Sequence, residues 1–214
     1  MSLLQLNIKD FINILGSDAP APGGGSSAAL VGAIGIALTN MVANLTLNRE
    51  QYKDQEELMK SILDDAKEIS CSLVKAIERD TQVYNDLTTV FKMPKNTEEE
   101  KALRKAALDK ALKDCTLVPF EIMSFGLQSL KVTEKAVGRS NTNAISDLGV
   151  AAINLKAAIQ GAWLNVAINI QSIKDKEFVE EYKTKGLNIL EEAIPIADKI
   201  YDEVKEIIMN EKAN

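Results

Sequence analysis

A single carboxylate occupies a position where the sequence pattern calls for an apolar side chain. The segment from about Tyr52 to Phe91 predicts one long amphipathic helix, because apolar residues recur every three or four positions along it. Asp80 lies in register with this stripe, between Ile77 and Tyr84. The apolar members of the stripe are Leu58, Ile62, Ala66, Ile69, Leu73, Ile77, Tyr84, Leu87 and Phe91.

A carboxylate on a core-facing stripe is unfavourable unless it is hydrogen-bonded, paired or functional. Desolvation would raise the pKa of Asp80 and suit the group to proton transfer near neutral pH, which makes it a candidate catalytic acid–base residue. The alternative is a structural role, in which Asp80 holds a Lys, an Arg or a backbone amide.

A glycine-rich turn precedes the most apolar segment of the chain. It runs from Ala19 to Ser27 with the sequence APAPGGGSS. The two prolines keep the entry extended, and the three glycines let the backbone approach a docked group without an intervening Cβ. Ser26 and Ser27 are candidate N-caps for the following helix. The segment predicts either a helix N-terminus that receives an anionic ligand or a tight loop before a buried helix. It lacks the Lys of a P-loop and the preceding strand of a dinucleotide fold.

Two predicted helices carry faces of small and polar residues. One face comprises Ser26, Ala29, Ala33, Ala37, Asn40 and Asn44; the other comprises Asp147, Ala151, Asn154, Ala158, Gly161, Asn165 and Asn169. Such faces suit close helix packing, within a subunit or between subunits. They equally suit a ligand cleft in which Asn and Asp side chains recognise a polar heterocycle, and the sequence leaves both interpretations open.

The chain contains no histidine. This excludes Ser-His-Asp and Cys-His catalysis, His-ligated zinc and the Glu-x-x-His di-iron bundle, so acid–base chemistry falls to carboxylates, Lys, Tyr or Cys. The two cysteines, Cys71 and Cys115, form neither a disulfide framework nor a metal site and are predicted to be small core residues. We therefore expect no metal.

Helical periodicity runs through the chain and no alternating strand pattern appears. We predict an all-α, single-domain bundle of long, partly kinked helices over residues 1–214. The predicted helices cover residues 7–15 with Asn7 as cap, 25–47, 52–91, about 98–137 after a Thr97 cap with a bend near Pro119, 143–172, and 175–210 with a kink at Pro195.

Composition bounds the partners and the location of the protein. The net charge is −6 and no Lys/Arg block occurs, so we expect no nucleic-acid partner. The apolar run from Ala28 to Leu38 falls short of the roughly 20 residues that a membrane span needs, which favours a buried helix over a membrane segment. Since no basic-then-apolar signal is visible at the N-terminus, we expect a cytoplasmic protein.

Several segments together resemble the cyclodeaminase/cyclohydrolase family of folate enzymes, which includes the C-terminal domain of formiminotransferase-cyclodeaminase. The matching segments occur in the order of the family and cover nearly the whole chain. They are Pro20–Ser26 (PAPGGGS), Met41–Thr46 (MVANLT), Glu78–Asp80 with Tyr84, Met93–Lys101 (MPKNTEEEK), Val118–Pro119, Ser146–Ala152 (SDLGVAA) and Asn165–Ile170 (NVAINI).

The resemblance implies an all-α homodimer whose folate site lies near the subunit interface, and an essential aspartate at Asp80. It also implies a tetrahydrofolate derivative as substrate, with no cofactor. On this basis the candidate substrate-binding residues are the turn Pro22, Gly23, Gly24, Gly25 and Ser26 together with the polar side chains of Asn44, Asp147 and Asn165.

Three functions remain as hypotheses. The first is conversion of 5-formimino-tetrahydrofolate to 5,10-methenyl-tetrahydrofolate with release of ammonia. The second is hydrolysis of methenyl-tetrahydrofolate to the 10-formyl compound, which shares the bicyclic methenyl species. The third belongs to another class: a non-catalytic helical module that uses its small-residue faces to bind partner helices.

Overall fold

The computed structural model describes residues 2–211, which form six α-helices and three short 3-10 turns and contain no strand. The helices are α1 (Ile8–Leu15), α2 (Gly24–Thr46), α3 (Glu56–Phe91), α4 (Glu98–Ala136), α5 (Ile145–Ile170) and α6 (Lys176–Glu211). The 3-10 turns are Leu3–Gln5, Glu50–Gln55 and Thr142–Ala144. The predicted all-α single domain is confirmed.

Local capping explains where two of the helices begin. The Asn7 side chain accepts a hydrogen bond from the Asp10 N–H at 2.9 Å and starts α1, as predicted. Thr97 starts α4 through a reciprocal capping box with Glu100, in which the Glu100 N–H donates to the threonine hydroxyl at 3.1 Å.

Two predicted boundaries were wrong. The N-cap of α2 is Gly23, so Ser26 lies inside the first turn, where its side chain serves tertiary contacts instead of capping. Tyr52 lies in the 3-10 turn with φ −121° and ψ 20°, and α3 begins only at Glu56.

Helices α2 and α5 pack closely and antiparallel, and small residues permit this. A Cβ on Gly35 would lie 2.8 Å from Cγ of Leu155, and a Cβ on Gly24 would lie 3.2 Å from Nδ2 of Asn165. The register places the start of α2 beside the end of α5. Helix α4 covers both helices on one side and completes the core.

Helix α2 is long and apolar enough to cross a membrane when judged by length and composition only. Its most apolar window has a mean hydropathy of 1.7, and 50% of that window is buried inside the bundle. Ala29, Ile36 and Val42 are completely buried. Within the fold, α2 is therefore a core helix.

The apolar stripe of α3 follows the prediction only as far as Asp80. Ile62, Leu73 and Ile77 are buried, whereas Tyr84 is 38% and Phe91 54% exposed, because α3 extends beyond the core at this end. The prediction of a core position was also wrong for Cys71, which is exposed. It lies two residues from Leu73, and at 100° per residue that places it on the other side of the helix.

Candidate functional site

The Asp80 carboxyl group lies against the first turn of α2. Its Oδ2 atom accepts a hydrogen bond from the Ser26 backbone N–H at 2.8 Å and lies 3.0 Å from the Ser26 hydroxyl oxygen. Burial raises the pKa of Asp80, and the two Ser26 hydrogen bonds act in the opposite direction without cancelling the increase. Asp80 therefore has the raised pKa that its position on the apolar stripe predicted.

Gly25 makes this approach possible. A Cβ on this residue would lie 2.5 Å from Cγ and 2.7 Å from Oδ2 of Asp80, and nearer still to Oδ1. No real Cβ tolerates such distances, so the carboxyl group occupies space that any other residue would fill. The glycine is required for close packing against a side chain of the same chain.

The Ser26 hydroxyl is completely buried and has three oxygen neighbours. They are the Ile77 carbonyl at 2.9 Å, Oδ2 of Asp80 at 3.0 Å and the Thr81 hydroxyl at 3.1 Å. A hydroxyl has one proton, so Ser26 donates to one of these oxygens at a time. The Ser26 side chain thus connects α2 to α3 and connects Asp80 to Thr81.

A cavity of about 240 Å³ opens beside Asp80. Its walls come from the glycine turn and from α3, α4 and α5. The lining residues are Pro20, Ala21, Gly23, Gly24, Gly25, Asp80, Thr81, Val83, Tyr84, Leu87, Cys115, Asn165 and Asn169. One side of the cavity is therefore formed by the backbone of the glycine turn and the carboxyl group of Asp80. The facing walls combine the ring of Tyr84, aliphatic groups and the side-chain amides of Asn165 and Asn169.

Both amides on the α5 wall are fixed by hydrogen bonds. Asn165 donates its side-chain N–H to the Gly161 carbonyl at 2.9 Å, and Asn169 donates to the Cys115 carbonyl at 2.6 Å. Because these bonds use the amide nitrogen, the orientation of each carbonyl oxygen is set as well. The wall can thus present fixed acceptors to a ligand.

Cys115 is a buried thiol on the α4 wall. Its Sγ donates to the Val83 carbonyl at 3.4 Å. Burial, with the negative charge of Asp80 as the next cause, raises the pKa of the thiol to about 11. A group with this pKa is protonated at neutral pH, so Cys115 serves as an apolar wall element and not as a nucleophile.

The structure brings most of the predicted site residues together. Gly23, Gly24, Gly25 and Asn165 line the cavity with Asp80. Ser26 contacts the Asp80 carboxyl group from behind and does not line the cavity.

The other predicted site residues lie elsewhere. Pro22 is buried behind the turn, and its neighbours Pro20 and Ala21 form the wall instead. Asn44 and Asp147 lie at the opposite end of the bundle, because Asn44 is nineteen residues along α2 from Gly25 and Asp147 is eighteen residues along α5 from Asn165. At 1.5 Å per residue these separations are about 27–29 Å. Within one chain they do not contribute to this cavity.

Sequence reasoning missed several wall residues. Tyr84 and Leu87 were predicted as core, although their register with Asp80 was the signal that they share its side of α3. Cys115 and Thr81 gave no signal of their own, since the wall that each joins is built from helices distant in sequence. Over residues 2–211, no group of three or more His, Cys, Asp or Glu side chains is arranged to hold a metal ion.

Comparison with known proteins gives consistent matches. Residues 7–187 match the family model described as formiminotransferase-cyclodeaminase. The methenyltetrahydrofolate cyclohydrolase of Methylorubrum extorquens is 36% identical over 198 residues, which are 92% of this chain and 95% of that protein. The formimidoyltransferase-cyclodeaminase of Rattus norvegicus is 32% identical over 192 residues, 90% of this chain but 36% of that protein.

The fold has a counterpart among solved structures. The crystal structure of a formiminotetrahydrofolate cyclodeaminase from Thermotoga maritima matches with a TM-score of 0.79 and 28% identity, over 98% of each chain. Sequence and fold comparisons thus cover almost the same residues of this chain.

Proposed function

The chain belongs to the formiminotransferase-cyclodeaminase family, and we propose that it converts 5-formimino-tetrahydrofolate to 5,10-methenyl-tetrahydrofolate with release of ammonia. The observation that carries this proposal is the half-buried carboxyl group of Asp80 at the wall of a cavity, held from behind by Ser26. One oxygen, Oδ2, is occupied by Ser26, which leaves Oδ1 to exchange protons with a substrate.

The chemistry needs one group that is a base first and an acid afterwards. The formimino group enters as the protonated amidine, with an –NH₂ nitrogen on the carbon bound to N5. N10 of the folate attacks this carbon, the C=N electron pair moves onto the formimino nitrogen, and the Asp80 carboxylate accepts the N10 proton as the new C–N bond forms. The same proton then passes from Asp80 to the departing nitrogen, which leaves as ammonia with the electrons of the broken C–N bond. Proton transfer by a positioned side chain typically contributes about 10²–10⁴-fold.

The cavity suits the reacting end of the folate. With about 240 Å³ it has room for the fused ring system, and we assign the folate tail to the space outside its opening. Tyr84 and Leu87 supply an apolar surface for the rings, while Asn165 and the backbone of Gly24 supply polar contacts to ring nitrogens.

Hydrolysis of methenyl-tetrahydrofolate is the second candidate reaction. The observation that favours it is the relative from Methylorubrum extorquens, which matches over 95% of its own length and bears that activity in its name. In this reaction water adds to the methenyl carbon, the C–N5 bond breaks, and the remaining hydroxyl proton of the adduct passes to N5 to give the 10-formyl compound. Asp80 would accept the proton of the attacking water.

We further propose that the enzyme is a homodimer. Helices α2 and α5 expose large apolar side chains on the side that α4 leaves uncovered. These are Ile34, Met41, Leu45, Val150, Ile153, Leu164 and Ile168, all at least 39% exposed. A two-fold axis perpendicular to these helices would bury the exposed face and bring the Asn44 and Asp147 end of one subunit towards the cavity of the other.

The dimer is tested by sedimentation analysis of Ile153→Glu, in which a charge enters the centre of this apolar face. Leu103→Glu is the matched control, since Leu103 is 60% exposed on α4. We expect the first variant to be monomeric and the second to behave as the wild type. A wild-type protein that sediments as a monomer contradicts the proposal.

The catalytic role is tested with Asp80→Asn, which keeps the shape and removes the acid. We expect kcat for formation of methenyl-tetrahydrofolate to fall by about 10²-fold or more, while the fold is retained. Asp64→Asn, an exposed position on the same helix, is the control. The reaction is followed by the absorbance of the methenyl compound together with the ammonia released. A folded Asp80→Asn variant with the wild-type rate would exclude the mechanism.

A further inference from the structure

Three side-chain oxygens form a continuous line from Asp80 to Thr81, a residue of the wall between two cavities. Oδ2 of Asp80 lies 3.0 Å from the Ser26 hydroxyl, which lies 3.1 Å from the Thr81 hydroxyl. Thr81 also lines a second cavity, of about 490 Å³. The other walls of that cavity are Ser2, Leu3, Glu78, Arg79, Gln82 and Asn85. Three of these residues, Arg79, Gln82 and Asn85, are exposed, so the second cavity communicates with solvent.

We propose that Ser26 and Thr81 form a proton relay that connects Asp80 to this second cavity and serves the hydrolytic reaction. The inference rests on the proposed folate function and goes beyond it, since it assigns roles to the Ser26 hydroxyl, which lies behind Asp80, and to Thr81, which lies at the walls of both cavities. Ser26 was predicted as a substrate contact, but its hydroxyl is completely buried behind Asp80.

The proton balance of the two reactions explains why a relay is needed in one of them. In cyclodeamination, the proton that Asp80 takes from N10 leaves on ammonia, and the carboxylate is regenerated within the turnover. In hydrolysis, a methenyl cation and water give a neutral 10-formyl compound and one proton. That proton remains on Asp80 when the C–N5 bond has broken, and it has to leave before the next turnover.

The relay removes this proton while folate still fills the first cavity. A half-turn of the Asp80 carboxyl group about its Cβ–Cγ bond brings the proton to the oxygen beside Ser26. It then passes to the Ser26 oxygen, the Ser26 proton passes to Thr81, and the Thr81 proton passes to water in the second cavity. Each electron pair stays on the oxygen that loses its proton, so the carboxylate and both hydroxyls are regenerated.

A purely structural role for the two hydroxyls predicts something different. If Ser26 and Thr81 only hold α2 against α3, loss of the Thr81 hydroxyl should displace Asp80 and impair both reactions alike. A relay predicts a selective effect on kcat for hydrolysis, because the N10-to-ammonia transfer does not pass through Thr81. A contact of Thr81 with the folate in the first cavity would change KM for both reactions alike.

The experiment compares Thr81→Val, which keeps the shape and removes the hydroxyl, with Thr81→Ser, which keeps the hydroxyl. Thr88→Val is the matched control: Thr88 is half-buried on the same helix, lies outside both cavities and donates to the Asn85 carbonyl at 2.7 Å. Hydrolysis of methenyl-tetrahydrofolate and deamination of the formimino compound are measured with each full-length variant. The hydrolysis rate is also measured in mixtures of H₂O and D₂O.

For Thr81→Val we expect kcat for hydrolysis to fall by about tenfold or more, with ~10²-fold as the typical contribution of a positioned proton-transfer group. Because Thr81 also lines the first cavity, a change in KM should be the same for both folate substrates, whereas kcat should fall selectively for hydrolysis. Deamination should be much less affected, and Thr81→Ser should recover most of the hydrolysis rate. The dependence of kcat on the D₂O fraction should be curved in the wild type, where several protons move together, and linear in Thr81→Val if its residual turnover moves one proton.

Three results overturn the relay. They are an equal loss of both activities in Thr81→Val, a Thr81→Ser variant as impaired as Thr81→Val, and a Thr81→Val variant with unchanged hydrolysis. A wild-type enzyme that deaminates but does not hydrolyse also overturns the relay and leaves the proposed folate function in place. A wild-type enzyme that turns over neither folate refutes the proposed function itself.

Discussion

Gly25→Ala is the substitution for which the structure gives the sharpest expected effect. The new Cβ would lie 2.5 Å from Cγ of Asp80, and ordinary contact begins at 3.4 Å. The carboxyl carbon therefore has to retreat from 2.5 to 3.4 Å, by at least about 0.9 Å, and Oδ1, which would lie nearer still to the new Cβ, has to move further. A shift of this size along the line to Ser26 stretches the 2.8 Å bond from the Ser26 N–H beyond hydrogen-bonding range.

The displacement predicts a large loss of activity and a small loss of stability. Misplacement of a reacting group by about 1 Å can reduce the rate by ~10²-fold, so we expect kcat to fall by that amount. Replacing Gly by Ala in a helix gains about 0.5–1 kcal/mol. Each of the two weakened hydrogen bonds contributes about 0.5–1.5 kcal/mol, so the net loss of unfolding free energy should stay near 1 kcal/mol.

The assay is kcat for formation of methenyl-tetrahydrofolate, with urea unfolding measured on the same samples. Gly16→Ala is the matched control, because its Cβ would meet the Ile12 carbonyl at an ordinary 3.4 Å. If Gly25→Ala is folded and retains the wild-type kcat, the position of the Asp80 carboxyl group does not govern the reaction and the reasoning fails.

Three further predictions follow from buried polar groups. Thr46→Val should reduce the unfolding free energy by about 1–3 kcal/mol in urea titrations. The reason is that its hydroxyl accepts the buried Asn141 N–H at 2.9 Å. Iodoacetamide should modify exposed Cys71 well before Cys115 at pH 8, as followed by peptide mass spectrometry, because burial raises the pKa of Cys115 to about 11. Since burial raises the pKa of Asp80, the folded chain holds its proton more tightly than the unfolded chain. The stability contribution of this group is therefore greatest at low pH and is lost as the pH rises through the folded pKa. As the pH rises through this range, the unfolding free energy of Asp80→Asn should therefore increase relative to that of the wild type.

Each of these predictions has a control in the chain. Thr39→Val should reduce stability less than Thr46→Val, because Thr133, its hydroxyl partner at 2.7 Å, keeps its bond to the Ser129 carbonyl. Equal modification rates for the two cysteines would contradict the burial of Cys115. A pH dependence of Asp80→Asn identical to that of the wild type would show that Asp80 titrates alike in both states.

The sequence predicted the helices and the acid–base candidate because both depend on local patterns. Caps such as Asn7 and Thr97 act within one turn, and an apolar stripe reports the direction in which each residue points. Asp80 was recognisable for the same reason, since a carboxylate in an apolar register is an anomaly that needs no knowledge of the partner helices.

The sequence could not predict which end of a stripe reaches the cavity. Asn44 and Asn165 belong to similar stripes, but the antiparallel register of α2 and α5 places only Asn165 beside Asp80. That register depends on where Gly35 meets Leu155, a contact between residues more than a hundred positions apart. Cys115 joined the wall for the same reason. Periodicity defines the face of a helix on which a residue lies, whereas tertiary packing defines which position along that face lies beside the cavity.

The first turn of α2 shows how fold and chemistry depend on the same atoms. The sequence left open whether this segment receives the anion of a ligand at a helix N-terminus or forms a tight loop before a buried helix. In the structure the Ser26 N–H is bound to Asp80 of the chain itself. The positive end of the helix and the Ser26 hydroxyl stabilise the carboxylate, while burial favours the neutral acid. The role proposed for Asp80, as a base in one step and an acid in the next, needs both forms to be accessible. The balance between a helix terminus and a half-buried position favours this, and Gly25 is the residue that lets the two opposing influences act on one carboxyl group.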